Sequence, residues 1–371
     1  MTERLSALLR DEASALDVPP PPAALVVTRG QTLQRRKRLG TAVAGVVLVT
    51  AVVTGAAYAA NGRDDGSHAV DPAGPSTGHG AVFTVGTTVY FDGGTQHVSI
   101  DDKAVKSSYY TSAGLLVRHG NNNSSDGGGP QRFSLVTPDG TVKPVSVVTE
   151  EIVPGVDPTQ PYLAYTEVVD GVVQVVVHDV STDEEVARID LPGDLTWGGW
   201  SGPPVALSGD TVYVGTDDAT HTVDWRTGEI GVSDVLGPGY PDVDGGRTIQ
   251  QDKGTATVLD VATGEELLTI DAGRFGYAVL SPDGHFLTLD GQDGESFDVY
   301  AVDSGTKVTF PGGSFDYGWT PDGDLVRIKH QHVETCSTTD GECSTGTETI
   351  PEDGGGVAPT DVRFAGQTFE S

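Results

Sequence analysis

Cys336 and Cys343 are the only thiols of the chain, and six residues lie between them: Ser337-Thr338-Thr339-Asp340-Gly341-Glu342. The Asp-Gly step reads as a hairpin turn that brings the two side chains face to face. In an oxidising compartment this predicts a disulfide closing a small loop, contributing about 2–3 kcal/mol by chain entropy. The alternative use of the thiols is zinc, with His330 and His332 as further ligands. Two ligand pairs in this order match no closed tetrahedral pattern, so the disulfide is preferred. His330 and His332, in IKHQHV, have the period-two spacing that places both on one face of a strand. That is a metal pair without a third ligand, and an exposed or satisfied strand pair is the plainer reading.

Two acidic stretches carry the oxygen ligands and glycines that calcium loops use: Asp290-Gly291-Gln292-Asp293-Gly294-Glu295 and Asp242-Val243-Asp244-Gly245-Gly246. Neither completes the calcium-loop series with its terminal Glu, so both read as ordinary acidic turns. A serine nucleophile would need an elbow such as G-x-S-x-G or an S-x-x-K. No G-x-S-x-G elbow occurs from residue 81 onward, and Gly199-Trp200-Ser201-Gly202 is not one. No Walker-type loop, dinucleotide fingerprint or cofactor attachment motif is present, so no cofactor, metal or catalytic residue is expected. Paired carboxylates remain as raw material for a hydrolase or lyase, since sequence spacing does not give their spacing in space. Trp197, Trp200, Trp225 and Trp319 are candidates for a ligand surface, though strand tryptophans are more often core.

The elements that must position these groups are strands. From residue 81 onward, short apolar or alternating runs are broken by turn residues, and no long helical period interrupts them. One unit recurs: a strand, a small-residue turn often of the form Asp-x-x-Thr-Gly, and a second strand. It occurs as VYFDGGTQHVSI, FSLVTPDGTVKPV, VVVHDVSTDEEVARIDL, HTVDWRTGEIGV, TVLDVATGEELLTI, VYAVDSGTKVTF and CSTGTETI, with turn residues at Gly94, Gly140, Asp183, Gly228, Gly264, Gly305 and Gly346. The mean spacing is 42 residues, enough for four short strands and their turns, which is one propeller blade. The segment from Tyr277 to Phe310 resembles a blade of the TolB-like and WD-repeat-like bacterial propellers, with Ser281-Pro282-Asp283-Gly284 as the inter-strand turn those blades favour and Thr320-Pro321-Asp322-Gly323 repeating it one unit later. The resemblance extends more loosely over residues 81–366, and the Trp-Asp dipeptide of true WD repeats is missing. It implies an all-β propeller of seven blades, six or eight being the alternatives, with Val362-Arg363-Phe364 completing the first blade. It implies no activity, because such propellers host sensors, scaffolds and enzymes alike.

Charge separates the ends of the chain. Residues 1–40 hold seven Lys/Arg against four Asp/Glu, whereas residues 61–371 hold 15 against 49. A domain that acidic repels phosphate backbones and anionic headgroups, which argues against nucleic acid as a partner. Residues 40–60, GTAVAGVVLVTAVVTGAAYAA, are uncharged and as a helix would span about 31 Å, enough to cross a hydrocarbon core. Arg35-Arg36-Lys37-Arg38 precede this run, so the positive-inside rule predicts a cytoplasmic tail over 1–39, a single-pass transmembrane helix over 40–60, a flexible Gly/Pro/Ser/Asp-rich linker over 61–80, and an extracytoplasmic domain over 81–371. A cleaved export signal is the alternative, since Ala57-Tyr58-Ala59 resembles a cleavage site, but the long stretch ahead of the basic cluster favours an anchor. In the tail, Leu5, Leu8, Leu9 and Leu16 share roughly one helix face before Pro19-Pro20-Pro21-Pro22, a face that either meets a cytoplasmic partner or stays unstructured. The segment AALVVTRGQTLQRRKRL resembles the juxtamembrane region of actinobacterial membrane proteins encoded beside extracytoplasmic-function sigma factors, which implies a regulatory, anti-sigma-like role. The expectation is a binding or sensing module whose propeller loops take a protein or small ligand. A cell-surface hydrolase or lyase and an envelope scaffold are the alternatives.

Overall fold

The computed structural model describes residues 82–122, 128–273, 276–291, 294–350 and 362–366. The expected tail, membrane span and linker lie outside them. Among the described residues no helix is long and apolar enough to cross a membrane.

The strands group into seven small antiparallel sheets. Blade 1 has β1 (Phe83–Val85), β2 (Thr88–Phe91) and β3 (Gln96–Ser99). Blade 2 has β4 (Ala104–Thr111), β5 (Gly114–Gly120), β6 (Gln131–Val136) and β7 (Val142–Thr149). Blade 3 has β8 (Gly155–Val156), β9 (Tyr162–Val169), β10 (Val172–Asp179) and β11 (Glu184–Leu191). Blade 4 has β12 (Val205–Ser208), β13 (Thr211–Gly215), β14 (Thr220–Asp224) and β15 (Glu229–Val232). Blade 5 has β16 (Arg247–Asp252), β17 (Thr255–Asp260) and β18 (Glu266–Asp271). Blade 6 has β19 (Ala278–Leu280), β20 (Phe286–Asp290), β21 (Ser296–Ala301) and β22 (Lys307–Pro311). Blade 7 has β23 (Gly318–Trp319), β24 (Leu325–Lys329), β25 (His332–Cys336) and β26 (Cys343–Thr349). β27 (Val362–Phe364) returns to pair with β1, Phe83 opposite Phe364, so the C-terminal run supplies the first strand of the first blade.

Strand alternation explains why these segments read as apolar runs. On β10, Val175 and Val177 face blade 4 while Val176 faces blade 2, and all three are fully buried. Each blade therefore buries both faces, and one apolar cluster fills each of the seven blade–blade interfaces among the described residues. The smallest joins blades 4 and 5 through Ala206, Tyr213, Val243 and Val261.

The recurring hairpin is the third-to-fourth-strand turn of each blade, and its chemistry is local. Asp224 Oδ1 accepts the amides of Arg226 and Thr227 at 3.0 and 2.8 Å, and the Gly228 amide donates to the Asp224 carbonyl at 2.8 Å. Asp260 repeats the pattern with Ala262, Thr263 and Gly264. The glycine closes the turn at positive φ, 77° at Gly228 and 73° at Gly264.

Three expectations are corrected. The seventh turn is Asp340-Gly341, not Gly346, which lies inside β26. The units are not uniformly four-stranded: blade 5 has three strands in register, and its inner position is held by residues 240–244 through a single bridge, Asp244 to Arg247. The preceding Gly-Pro-Gly-Tyr-Pro run explains this, since proline donates no ladder hydrogen bond. His330 and His332 do not share a strand. His330 and Gln331, at φ 49° and 68°, form the two-residue turn between β24 and β25, and the chain reverses before His332 pairs with Lys329.

Candidate functional site

Antiparallel order sorts the connections into two faces. First-to-second and third-to-fourth turns emerge at one end, here the turn face. Second-to-third loops and blade-to-blade connections emerge at the other, the loop face.

The turn face satisfies itself. Besides the Asp-capped turns above, Asp179 accepts the Ser181 amide and hydroxyl, and Ser281 donates to Asp283 while its own Oγ accepts the Phe286 amide at 2.9 Å. In the turn from β6 to β7, the Thr137 hydroxyl first and then the Thr141 amide hold the Asp139 carboxyl down at about 2. These carboxylates are committed to their own backbone.

The loop face is different. Of the exposed large apolar residues among those described, all but Val186 lie on loops of this face or toward the strand ends that reach it. Its aromatic members are Tyr240 in the connection from β15 to β16, Tyr277 in that from β18 to β19 and Phe315 in that from β22 to β23, at 44%, 41% and 57% exposure. Tyr277 and Phe315 stack with centroids 5.8 Å apart, and Tyr240 leans on Trp200 at 6.5 Å.

Along the axis runs an open recess with a cavity volume of about 60 Å³, lined by inner-strand residues of blades 2 to 5 and by Pro282 and Gly366. Its walls include Tyr109, Tyr110, Val205 and the segment Tyr240–Asp244. The buried Tyr110 hydroxyl donates to the Trp319 carbonyl at 2.9 Å, and burial pushes its phenol well up. Asp242 is exposed and Asp244 partly accessible, and both line the recess. Burial raises the Asp242 carboxyl. Burial first, then the charges of Asp242 and Asp283, holds Asp244 well above the usual carboxylate range.

The sequence-identified residues scatter. Cys336 and Cys343 are directly opposed on β25 and β26 and form a disulfide at the outer edge of blade 7. Asp290 accepts the Ser314 amide and hydroxyl and orders the loop that carries Phe315. Trp225 and Trp319 are buried core residues, whereas Trp197 and Trp200 are half-buried in the connection from β11 to β12. Asp242 and Asp290 come near the aromatic rim, whereas Asp244 lies further along the recess, within reach of the Asp283 charge. The Tyr277 phenol is raised by burial first and then by the charges of Asp242 and Asp290.

One constellation has no sequence motif behind it. His119 places Nδ1 2.6 Å from Asp102 and Nε2 2.9 Å from the Ser134 hydroxyl, a serine–histidine–carboxylate line. All three side chains are buried, none lines the recess, and Arg132 clamps both oxygens of Asp102 at 2.8 and 2.9 Å. With no access for a substrate, the line fastens the connection between blades 1 and 2 to β5 and β6.

No family model and no curated protein sequence matches the chain. Among solved structures, periplasmic gluconolactonase PpgL of Pseudomonas aeruginosa is similar at 15% identity and TM-score 0.43, covering 77% of this chain and 99% of that one. TolB from Acinetobacter baumannii is similar at 13% and 0.38, covering 78% and 67%, and BamB from Moraxella catarrhalis at 12% and 0.36, covering 72% and 81%.

Proposed function

We propose that the chain is a membrane-anchored recognition module whose propeller stands outside the cell and binds a partner through its loop face, recognition rather than bond-making being its task. One observation carries the binding half: exposed apolar side chains gather at the loop face, while turn-face carboxylates such as Asp179, Asp224 and Asp260 cap their own turns. The placement is supported by Arg35–Arg38 ahead of the apolar run 40–60 and by the Cys336–Cys343 disulfide, which suits an oxidising compartment. A photo-crosslinking residue placed in the full-length chain at Phe315, and separately at Thr182 on the turn face, tests it in intact cells. Adducts from position 315 alone are expected. Equal yields, or none at 315, would remove the reading. Residues 1–39 are the proposed cytoplasmic reporter, and failure of a tail bait to recover any sigma factor or other regulator would sink that part.

The second reading is a surface hydrolase or lyase. Asp244 favours it, because a carboxyl raised well above its ordinary range is what general acid catalysis needs. Turnover of a glycan and ester panel that survives intact in the Asp244→Asn variant would eliminate it.

A further inference from the structure

The recess contains negative charge that the chain does not answer. Asp242 and Asp244 make no side-chain hydrogen bond or ion pair among the described residues. Two positions apart on an extended segment, they point the same way, and both line the recess. Arg247, the closest cation in sequence, is turned elsewhere: its guanidinium donates to the Gly284 carbonyl and to Asp303, each at 2.7 Å. Asp242 is exposed, but Asp244 is only partly accessible, and keeping it ionised there without a counter-charge costs folding free energy; a purely structural channel would fill these positions as blade 4 does, with Val205, Ala206 and Leu207.

The rim says what kind of charge is missing. Nowhere among the described residues do three His, Cys, Asp or Glu side chains converge as a metal cage would require. What borders the carboxylates is aromatic: Tyr240 lines the recess beside Asp242, and Tyr277, close enough to feel the Asp242 charge, stacks on Phe315. Carboxylates within and aromatic faces without form a receptor for ammonium or guanidinium groups, whose heads pair with the acids while their stems and charge lie against the rings. The molecule uses the same chemistry internally. The Arg226 guanidinium sits 4.1 Å from the Trp225 ring centroid, and its Nε donates to Asp210 at 2.6 Å.

We propose that the recess receives the charged head of a lysine or arginine presented by a partner polypeptide, with Asp242 and Asp244 as its counter-charge and Tyr240, Tyr277 and Phe315 as the collar. A polypeptide side chain is favoured over a free amine because the collar comes from the loops entering blades 5, 6 and 7 and extends past the recess, offering surface to flanking residues. The inference rests on the loop-face reading and adds the chemistry of the partner.

The test uses the full-length chain in detergent micelles and a labelled Gly/Ser dodecapeptide with two central lysines, read by fluorescence anisotropy at physiological ionic strength. A norleucine peptide and N-acetyl-lysine methylamide serve as controls. The Asp242→Asn/Asp244→Asn variant should weaken lysine-peptide binding at least about tenfold, because it removes the charge pairing. Tyr277→Ala should weaken it by roughly threefold to tenfold, through lost ring contact. Glu229→Gln/Glu265→Gln removes the same charge from exposed turn-face positions and should change affinity less than about twofold. Equal losses in both double variants would mean attraction by the general acidic field and would overturn the proposal. Unchanged binding in the Asn variant, or equal affinity for the norleucine peptide or the free lysine derivative, would do the same. If crosslinking at position 315 persists while the Asn variant binds normally, the loop-face reading stands and this one falls.

Discussion

Nδ1 of His119 lies 2.6 Å from Oδ2 of Asp102, joining a strand of blade 2 to the connection that arrives from blade 1. Asp102 is therefore the hub of a small buried network: it accepts His119, both arms of Arg132 and the Lys103 amide, and through His119 it reaches Ser134. A propeller is closed only as well as its blade-to-blade connections are fixed, and here charge-assisted bonds at Asp102 add to the apolar packing of Ile100 in the same connection.

Asp102→Asn should cost about 1–3 kcal/mol at neutral pH, because it leaves the buried His119 without its carboxylate; Arg132, more than a third exposed, adds little. Burial pushes the Asp102 carboxyl up, but the bonds from His119, the Lys103 amide and Arg132 outweigh it and leave the group below its ordinary 3.8. A depressed folded value means the folded state binds fewer protons than the unfolded one, so this stabilisation is complete above the ordinary value and is lost as pH falls through the folded value. Urea unfolding at pH 7 and at successively lower pH below 3.8 should show a deficit in the variant that is largest at pH 7 and shrinks as the pH falls. A deficit independent of pH would mean the ion network is not its source.

Much of the architecture was legible because it is local. The Asp-x-x-Thr-Gly turn is built by one side chain capping the next amides, so Asp224 to Gly228 announces itself wherever the sequence repeats it. CSTGTETI mimics that turn at Gly346, while the actual reversal is Asp340-Gly341 within the cysteine loop. Blade 5 lost its inner strand to prolines within an otherwise regular spacing. The site was far less visible. Asp242 looks like any acidic-turn residue until the packing of blade 5 on blade 6 brings it near Tyr277, and no periodicity encodes that approach. Asp102, His119 and Ser134 meet through sheet pairing. Their one sequence signal was Arg118-His119 inside the otherwise apolar strand GLLVRHG, a polar pair where burial demands partners.

Asp244→Asn should make the protein more stable, not less. Its carboxyl is raised by burial and by the charges of Asp242 and Asp283, so at neutral pH the folded state carries a charge that the unfolded state tolerates more easily. The folded value lies above the unfolded one, which means wild-type stability rises as pH falls through it, and the amide should capture a gain of about 0.5–2 kcal/mol at pH 7. Thermal melts should show the Asn variant above wild type at pH 7, with the gap closing in acid. A destabilised variant would assign Asp244 a structural partner and weaken the case for a ligand-binding acid.

Cys336→Ser/Cys343→Ser should lower stability by about 2–3 kcal/mol, since the pair closes a short loop at the exposed edge of blade 7. Reductant should lower the wild-type melting temperature and leave the variant unmoved. Wild type indifferent to reductant would show that the bridge constrains nothing that unfolds cooperatively.

The inner strands test ring closure most directly at Gly155. A Cβ there would lie 2.6 Å from the Leu207 amide nitrogen and 2.7 Å from the Ala206 carbonyl carbon, so β8 and β12 approach through a space only hydrogen occupies. Both neighbours are backbone and cannot rotate away, and Gly155→Ala must push blade 3 from blade 4, costing at least about 2 kcal/mol. Gly86→Ala offers the contrast. Its φ of 59° strains any side chain, but nothing stands within 4 Å of the added carbon, so the cost should stay near about 1 kcal/mol. Chemical denaturation of the two variants side by side decides the point. A Gly155→Ala protein no weaker than Gly86→Ala would mean that the inner strands are not packed backbone to backbone and that the recess between them is wider and softer than described.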